Sequence, residues 1–231
     1  MPLDLICLDA DDTLWDHESY FQDSARRYHA LLTAFIDPAR SEARLIEAEG
    51  RNLHVYGYGV KGFTLSMLET ALEIGGDALP AATVREILAL GRELMRHPIS
   101  PLPGVADTLP ELKRRARLVL VTKGDLFHQE SKLAASGLGE HFEGVEIVSE
   151  KTPQVYARIF ARYGAGPQRA LMVGNSLRSD ILPALEAGAY AVHIPNEFEW
   201  SHERATAPVG ERRFAALRAF ADLPGWLDRL G

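Results

Sequence analysis

The stretch Leu3-Asp4-Leu5-Ile6-Cys7-Leu8-Asp9-Ala10-Asp11-Asp12-Thr13 decides the fold. Leu5 through Leu8 are apolar on consecutive positions rather than in alternation, the pattern of a strand covered on both faces. Similar short runs recur at Leu3 to Leu8, Arg117 to Val121, Val145 to Val148, Ala170 to Val173 and Ala189 to Ile194. Helix-length segments separate them: Gly104 to Arg115, Asp125 to Ser136, Pro153 to Tyr163 and Ser179 to Ala187. Strand and helix in repetition imply right-handed crossovers. The predicted class is therefore α/β, a doubly wound, Rossmann-like parallel sheet, which places its ligands at the carboxyl ends of the strands.

One region breaks the alternation. From His17 to His97, roughly eighty residues, no strand run stands out. Tyr20 to Phe35, Ser41 to Arg51, Thr64 to Ile74 and Thr83 to Met95 show helical spacing instead, with stops at Asp37-Pro38, the Gly57, Gly59 and Gly62 cluster, Gly75-Gly76 and His97-Pro98. The division predicted is a core of residues 1–15 and 100–231 with an inserted all-helical domain over 16–99.

Composition bounds the function. Lys plus Arg total 25 against 32 Asp plus Glu, a net charge of −7, which gives no long-range attraction to nucleic acid or anionic lipid. The single cysteine, Cys7, excludes an internal disulfide and a multi-Cys zinc site, and inside a strand it reads as a small core residue. No run approaches the roughly 18 apolar residues of a membrane span, and no secretory leader is visible, so cytoplasm is the expected compartment. The partner these features leave is a small molecule, with no nucleic acid and no membrane; oligomeric state is not legible.

Chemistry concentrates where the apolar runs end. Asp9 and Asp11, two apart in an extended chain, project to one side. Two carboxylates that close repel unless a cation lies between them or one keeps its proton. A run of acidic residues after a strand can also simply cap the next helix. Three later strand ends weigh against that: Leu118 to Val121 runs into Thr122-Lys123, Val145 to Val148 into Ser149-Glu150-Lys151, and Leu171 to Val173 into Gly174-Asn175-Ser176, with Asp180 beyond. A parallel sheet collects these at one edge. Nucleophile, hydrogen-bond donor, cation and metal ligands together suit a phosphoryl group.

In this order the residues resemble the signatures of the haloacid dehalogenase superfamily of hydrolases: Asp9-x-Asp11-x-Thr13, Thr122, Lys151, and Gly174-Asn175-Ser176 through Asp180. The helical insert stands where that family carries a C1-type cap. The resemblance implies that Asp9 attacks phosphorus and forms an aspartyl-phosphate. Asp11 then protonates the leaving oxygen and later serves as base toward water, with its proton affinity raised by its neighbour. It implies that Thr13 orients Asp11, that Thr122 and the Lys123 backbone bind phosphoryl oxygens, and that Lys151 offsets charge. Mg²⁺ would be held by Asp9, the Asp11 carbonyl, Asn175 and Asp180. The acid at the second position separates phosphatases from dehalogenases, whose halide leaves unprotonated. The expected function is Mg²⁺-dependent hydrolysis of a small phosphate monoester. The alternatives are a non-catalytic or regulatory phosphate-binding protein, or a phosphomutase.

Two positions depart from the family's usual pattern. Asn175 stands where Asp is usual, bringing an oxygen but no charge. Lys123 stands where Asn is usual, and its ammonium is expected to snorkel to solvent. Asp180 is open to three roles: ligand, water-mediated partner, or the acceptor that orients Lys151. Trp15 and His17 are expected to line the entrance or the hinge. The segment His54 to Phe63 either closes over the site or is an ordinary interhelical loop. The stretch Asn196 to Glu203 could fence the site, although His202 and Glu203 read as solvated surface.

Overall fold

The computed structural model describes residues 3–198 and 200–230. Its strands are β1 (Leu5–Leu8), β2 (Arg117–Lys123), β3 (Gly144–Val148), β4 (Ala170–Gly174), β5 (Tyr190–His193) and β6 (Phe214–Ala216). They form one parallel sheet in the order β3-β2-β1-β4-β5-β6. The order reverses direction at β1, which pairs with β2 on one side and β4 on the other. Residues following β1 therefore stand at a topological switch point, where open sheets of this kind bind ligands.

The consecutive apolar positions have a direct explanation. Ile6, Leu8, Leu118, Leu120, Leu171 and Val173 face one layer of the core, while Leu5, Cys7, Val119, Val121, Ala170 and Met172 face the other. Both faces are covered, so period-two alternation of polarity has nothing to report. Helices α5 (Val105–Arg115) and α9 (Leu223–Leu230) contribute Val105, Leu109, Leu112 and Leu223 to the first layer. Helices α7 (Pro153–Tyr163) and α8 (Leu182–Glu186) contribute Tyr156, Ile159, Phe160 and Ala184 to the second. Cys7 is fully buried there, and burial pushes its thiol well above the ordinary range.

The chain divides into two compact units, one ending at Glu18 and resuming over Ile99–Lys123 and from Gln129 onward, the other comprising Ser19–Pro98 with Gly124–His128. The second unit holds α1 (Glu18–Leu31) from Ser19 on, α2 (Pro38–Tyr56), α3 (Val60–Gly75) and α4 (Ala81–Leu94). Its own core includes Tyr28, Leu45, Phe63, Met67, Ile87 and Leu94. Asp37-Pro38, read from sequence as a stop, is also a start: Asp37 accepts the Ala39 N–H and Pro38 occupies the first helical position. Gly57, at φ 71°, ends α2 in a conformation costly to residues with a Cβ.

Two expectations need adjustment. Ser179 to Ala187 is not one helix: a wide π-type turn, Leu177–Ile181, precedes α8. Pro183 has no N–H with which to continue a regular ladder back to Ser179. Strand β6 and helix α9 went unread. A three-residue edge strand has no run to detect.

Candidate active site

The carboxyl edge of the sheet positions each group. β1 ends at Leu8, and the Asp9 N–H donates to the Val173 carbonyl, tying the first residue beyond the strand to β4. The chain then turns sharply through Asp12, the one described non-glycine residue with positive φ, at 61°. Asp tolerates that region better than most residues because its short side chain bonds locally. Here the Asp12 carboxylate accepts the N–H groups of His17 and Glu18 and the Asn196 amide. Burial, with some help from the Asp11 and Glu18 charges, pushes its carboxyl up to about 8 against those N–H bonds.

The turn brings Thr13 back beside Asp9 rather than Asp11. Its hydroxyl donates to Asp9 Oδ2 at 3.0 Å and accepts the Asn175 N–H at 3.0 Å. Thr13 thus orients the first carboxylate, a correction to the expectation that it orients the second. Lys151, following β3, bonds Asp9 Oδ1 and, at 2.7 Å, Asp180 Oδ1. The second Asp180 oxygen accepts the Ser176 N–H at 3.0 Å. Asp180 packs so tightly against β4 that a Cβ on Gly174 would come within 2.1 Å of its Oδ2. Both of its oxygens are engaged, one by Lys151 and one by the turn after β4.

This group holds one cation and two carboxylates. Burial raises Asp9 to about 7, with the Lys151 charge opposing and the Asp180 charge adding to the rise. Burial works against the Lys151 ammonium, but Asp180 and Asp9 outweigh it and hold its proton affinity above the usual lysine value. The excess negative charge is what a nearby cation would offset.

Asp11 is bound quite differently. Lys132 reaches its two oxygens at 2.6 and 2.7 Å, Gln129 donates at 3.0 Å, and the Trp15 indole N–H at 2.7 Å. Burial alone would raise its carboxyl, but the charges of His17 and Lys132 and the bonds from Lys132 and Gln129 outweigh it. Asp11 therefore lies well below the usual carboxylate range, which corrects the expectation that its neighbour raises it. Gln129 and Lys132 come from α6 (Leu126–Ser136), one helical turn apart. Neither was anticipated, because a lysine on an amphipathic helix reads as solvated, whereas this side chain is 2% exposed.

Lys123 also departs from expectation. Its ammonium does not snorkel to water but bonds Glu203 Oε1 at 2.6 Å and Ser179 Oγ at 2.9 Å. The other Glu203 oxygen accepts from the hydroxyls of Ser176 and Ser179. Glu203 is accordingly no solvated surface residue, and its side chain is 15% exposed. Burial opposes its charge, but Lys123 and the two serines outweigh that and hold it below the usual range. Glu199, within the expected fence, lies outside the described residues. Thr122, buried at the end of β2, directs its hydroxyl to the Lys123 carbonyl at 3.4 Å, a long contact.

The oxygens around Asp9 are of the kind that suits a hard divalent cation. One end of the Asn175 amide lies 3.2 Å from both the Asp11 carbonyl oxygen and Asp9 Oδ2. With only protein present that end is the NH₂, donating to both. With a cation bound, the amide would turn its oxygen inward, so that Asn175, Asp9 and the Asp11 carbonyl could each offer an oxygen. Oxygen ligands of Mg²⁺ at 2.0–2.1 Å lie about 2.9 Å apart along an octahedral edge, close to the 3.2 Å from the Asn175 amide to each of the other two oxygens. Among the described residues no cluster of three His, Cys, Asp and Glu side chains is placed to hold a metal. The donor set here draws instead on a carbonyl and an amide. Among the same residues no helix is long and apolar enough to cross a membrane.

Comparison with known proteins bears on the family and the fold. A family model described as haloacid dehalogenase-like hydrolase matches residues 3–188. A crystal structure of a haloacid dehalogenase-like family hydrolase from Xanthomonas campestris is similar at a TM-score of 0.88 and 36% identity, covering 99% of this chain and 91% of that one. A glyceraldehyde 3-phosphate phosphatase of Methanopyrus kandleri is 27% identical over 197 residues, 82% of each chain. A phosphoserine phosphatase of Thermus thermophilus is 32% identical over 139 residues, 57% of this chain and 54% of that one.

Proposed function

The chain belongs to the haloacid dehalogenase-like hydrolases, as a phosphatase of that family, and on that premise we propose that it hydrolyses a small phosphate monoester through Asp9 with Mg²⁺ as cofactor. The observation that carries this reading is the environment of Asp9. One of its oxygens is bonded by a buried ammonium and the other by Thr13, at the switch point of the sheet. A carboxylate so fixed is a nucleophile with its geometry already set. The relatives named for glyceraldehyde 3-phosphate and phosphoserine support a compact, phosphorylated metabolite as substrate.

In this reading an Asp9 oxygen bonds to phosphorus as the bond from phosphorus to the ester oxygen breaks. The departing oxygen takes a proton from Asp11, leaving an aspartyl-phosphate and an alcohol. Water then attacks phosphorus, gives its proton to Asp11 and releases Asp9 and inorganic phosphate. The contact with Lys132 favours the carboxylate form of Asp11, the form needed as base; the acid form needs that contact loosened. Thr122 and the Lys123 N–H bind phosphoryl oxygens, and Lys151 offsets their charge. Asp9, the Asp11 carbonyl and Asn175 would hold Mg²⁺, which supplies further charge stabilisation. Of the roles open to Asp180, we assign the orienting of Lys151, since both of its oxygens are engaged. A core of residues 1–15 and 100–231 with a substrate-selecting helical domain over 16–99 belongs to the same proposal.

The test is phosphate release from 4-nitrophenyl phosphate and from a panel of three- to six-carbon phosphate esters. Release should require Mg²⁺, stop with EDTA, and vanish in Asp9→Asn with the fold retained. Release that persists in folded Asp9→Asn would sink the mechanism.

A further inference from the structure

We propose that Glu203 is a positioning residue for this reaction: it holds Lys123 in place and, through Gln129, fixes the place of Asp11. Lys123 is gripped at two points. Its ammonium meets Glu203 at 2.6 Å and Ser179 at 2.9 Å, while its carbonyl accepts from the Gln129 amide. That same amide nitrogen donates to Asp11 Oδ2 at 3.0 Å. The Glu203 carboxylate also accepts from Ser176 and Ser179, so it bridges the ends of β2 and β4. Lys123 and Glu203 are 10% and 15% exposed, so losing the carboxylate leaves a nearly buried ammonium to find a new partner, and its residue shifts with it.

Glu203 reaches this place from the connection between β5 and β6, at the end of a short 3-10 turn, Ser201–Glu203. That connection is pinned at one point by Asn196 to the Asp12 carboxylate and at another by the Arg178 side chain to the His202 carbonyl. None of the strand-end signatures contains it. The result is a hydrogen-bonded circuit. From Asp9 it runs through Lys151, Asp180, Ser176 and Glu203 to Lys123, and from there through Gln129 to Asp11. Glu203 joins the nucleophile's half to the acid's half as the only carboxylate on Lys123 in that circuit, beside the neutral route through Ser179, which bonds both Lys123 and Ser176. Networks of this kind are apportioned by double-mutant cycles rather than by counting bonds.

The inference rests on the phosphatase reading, since it assigns Glu203 to that reaction's acid. Its test compares two esters. The 4-nitrophenoxide of 4-nitrophenyl phosphate departs with little need of a proton, whereas the alkoxide of glycerol 2-phosphate needs one. Glu203→Gln keeps the shape and removes the charge. It should lower kcat/KM for the alkyl ester about tenfold more than for the aryl ester, a fraction of the roughly 10²–10⁴-fold that a well-placed general acid contributes, because Asp11 is shifted rather than removed. Lys123→Met added to Glu203→Gln should change that ratio less than about twofold, because both act through one contact. A smaller folded fraction lowers both esters alike, so an unchanged ratio overturns the proposal whatever the absolute rate. Additive effects of the two substitutions on the ratio overturn the route through Lys123. A parent chain that releases phosphate from neither these esters nor the wider panel sinks the phosphatase reading and the inference with it. An active parent with an unaltered ratio in Glu203→Gln sinks the inference alone.

Discussion

Glu203 and Asn175 show how much one side chain's charge decides in a nearly dry site. The Glu203 carboxyl is held below its usual range in the folded chain. The unfolded chain therefore binds more protons in that window, and the stability Glu203 contributes is fully present above its unfolded value, roughly pH 4.3. It is lost as pH falls through the folded value. Urea unfolding of the parent and Glu203→Gln should differ by about 2 kcal/mol at pH 7. The gap should close below roughly pH 4.3; a gap independent of pH contradicts the assignment. Asn175 brings oxygen without charge to the proposed Mg²⁺ site. Asn175→Asp should lower the half-saturating Mg²⁺ concentration about tenfold, while thermal unfolding in EDTA shifts downward because a further carboxylate then faces Asp9. An unchanged Mg²⁺ requirement would remove Asn175 from the ligand set. Asp9, Asp11, Thr13, Thr122, Lys123, Lys151, Asn175 and Asp180 could be singled out in the sequence because each follows an apolar run in a parallel sheet. Lys132, Gln129 and Glu203 could not. Two lie on a helix face and one in the connection between β5 and β6, and only the folded chain brings them to the carboxylates and to Lys123.

The elements that matter most are the strand ends and the turns that leave them. At the end of β4, Gly174 has the backbone of an ordinary strand residue but no room for a Cβ, since Asp180 Oδ2 would lie 2.1 Å and its Cγ 2.4 Å away. Gly174→Ala should displace Asp180, loosen Lys151 and cost about 3 kcal/mol in unfolding experiments. Activity should fall at least about a hundredfold, as misplacement of reacting groups by an ångström does. Near-parental stability and turnover would show that the turn yields without consequence. The same element explains what the sequence left unread. Consecutive apolar runs mark strands buried on both faces, which is why β1, β2 and β4 were legible to within a few residues; β3, at the edge with Val145 exposed, and β5 carry runs of the same kind that are less fully buried. The wide turn at Leu177–Ile181 was not, because a π-type turn has the composition of a helix and its hydrogen bonds appear only in the folded chain; Pro183 is the one sign of it in the sequence.

At the scale of the molecule, a net charge of −7 coexists with an edge of the sheet where Lys132 and Lys151 are buried, and Lys123 half-buried, against carboxylates. Composition describes the surface, and the chemistry lies in a few groups withdrawn from it. The parallel sheet gathers residues more than 160 positions apart, such as Thr13 and Asn175, into hydrogen-bond contact. The central claim is that Asp9 attacks phosphorus. Its most direct test is to mix the chain with a ³²P-labelled ester and Mg²⁺, quench in acid within a single turnover, and map the label by peptide digestion. The account predicts an acid-stable, hydroxylamine-labile phosphoryl group on the peptide containing Asp9, absent from Asp9→Asn. Turnover with no covalent label, or a label on any other residue, would contradict it.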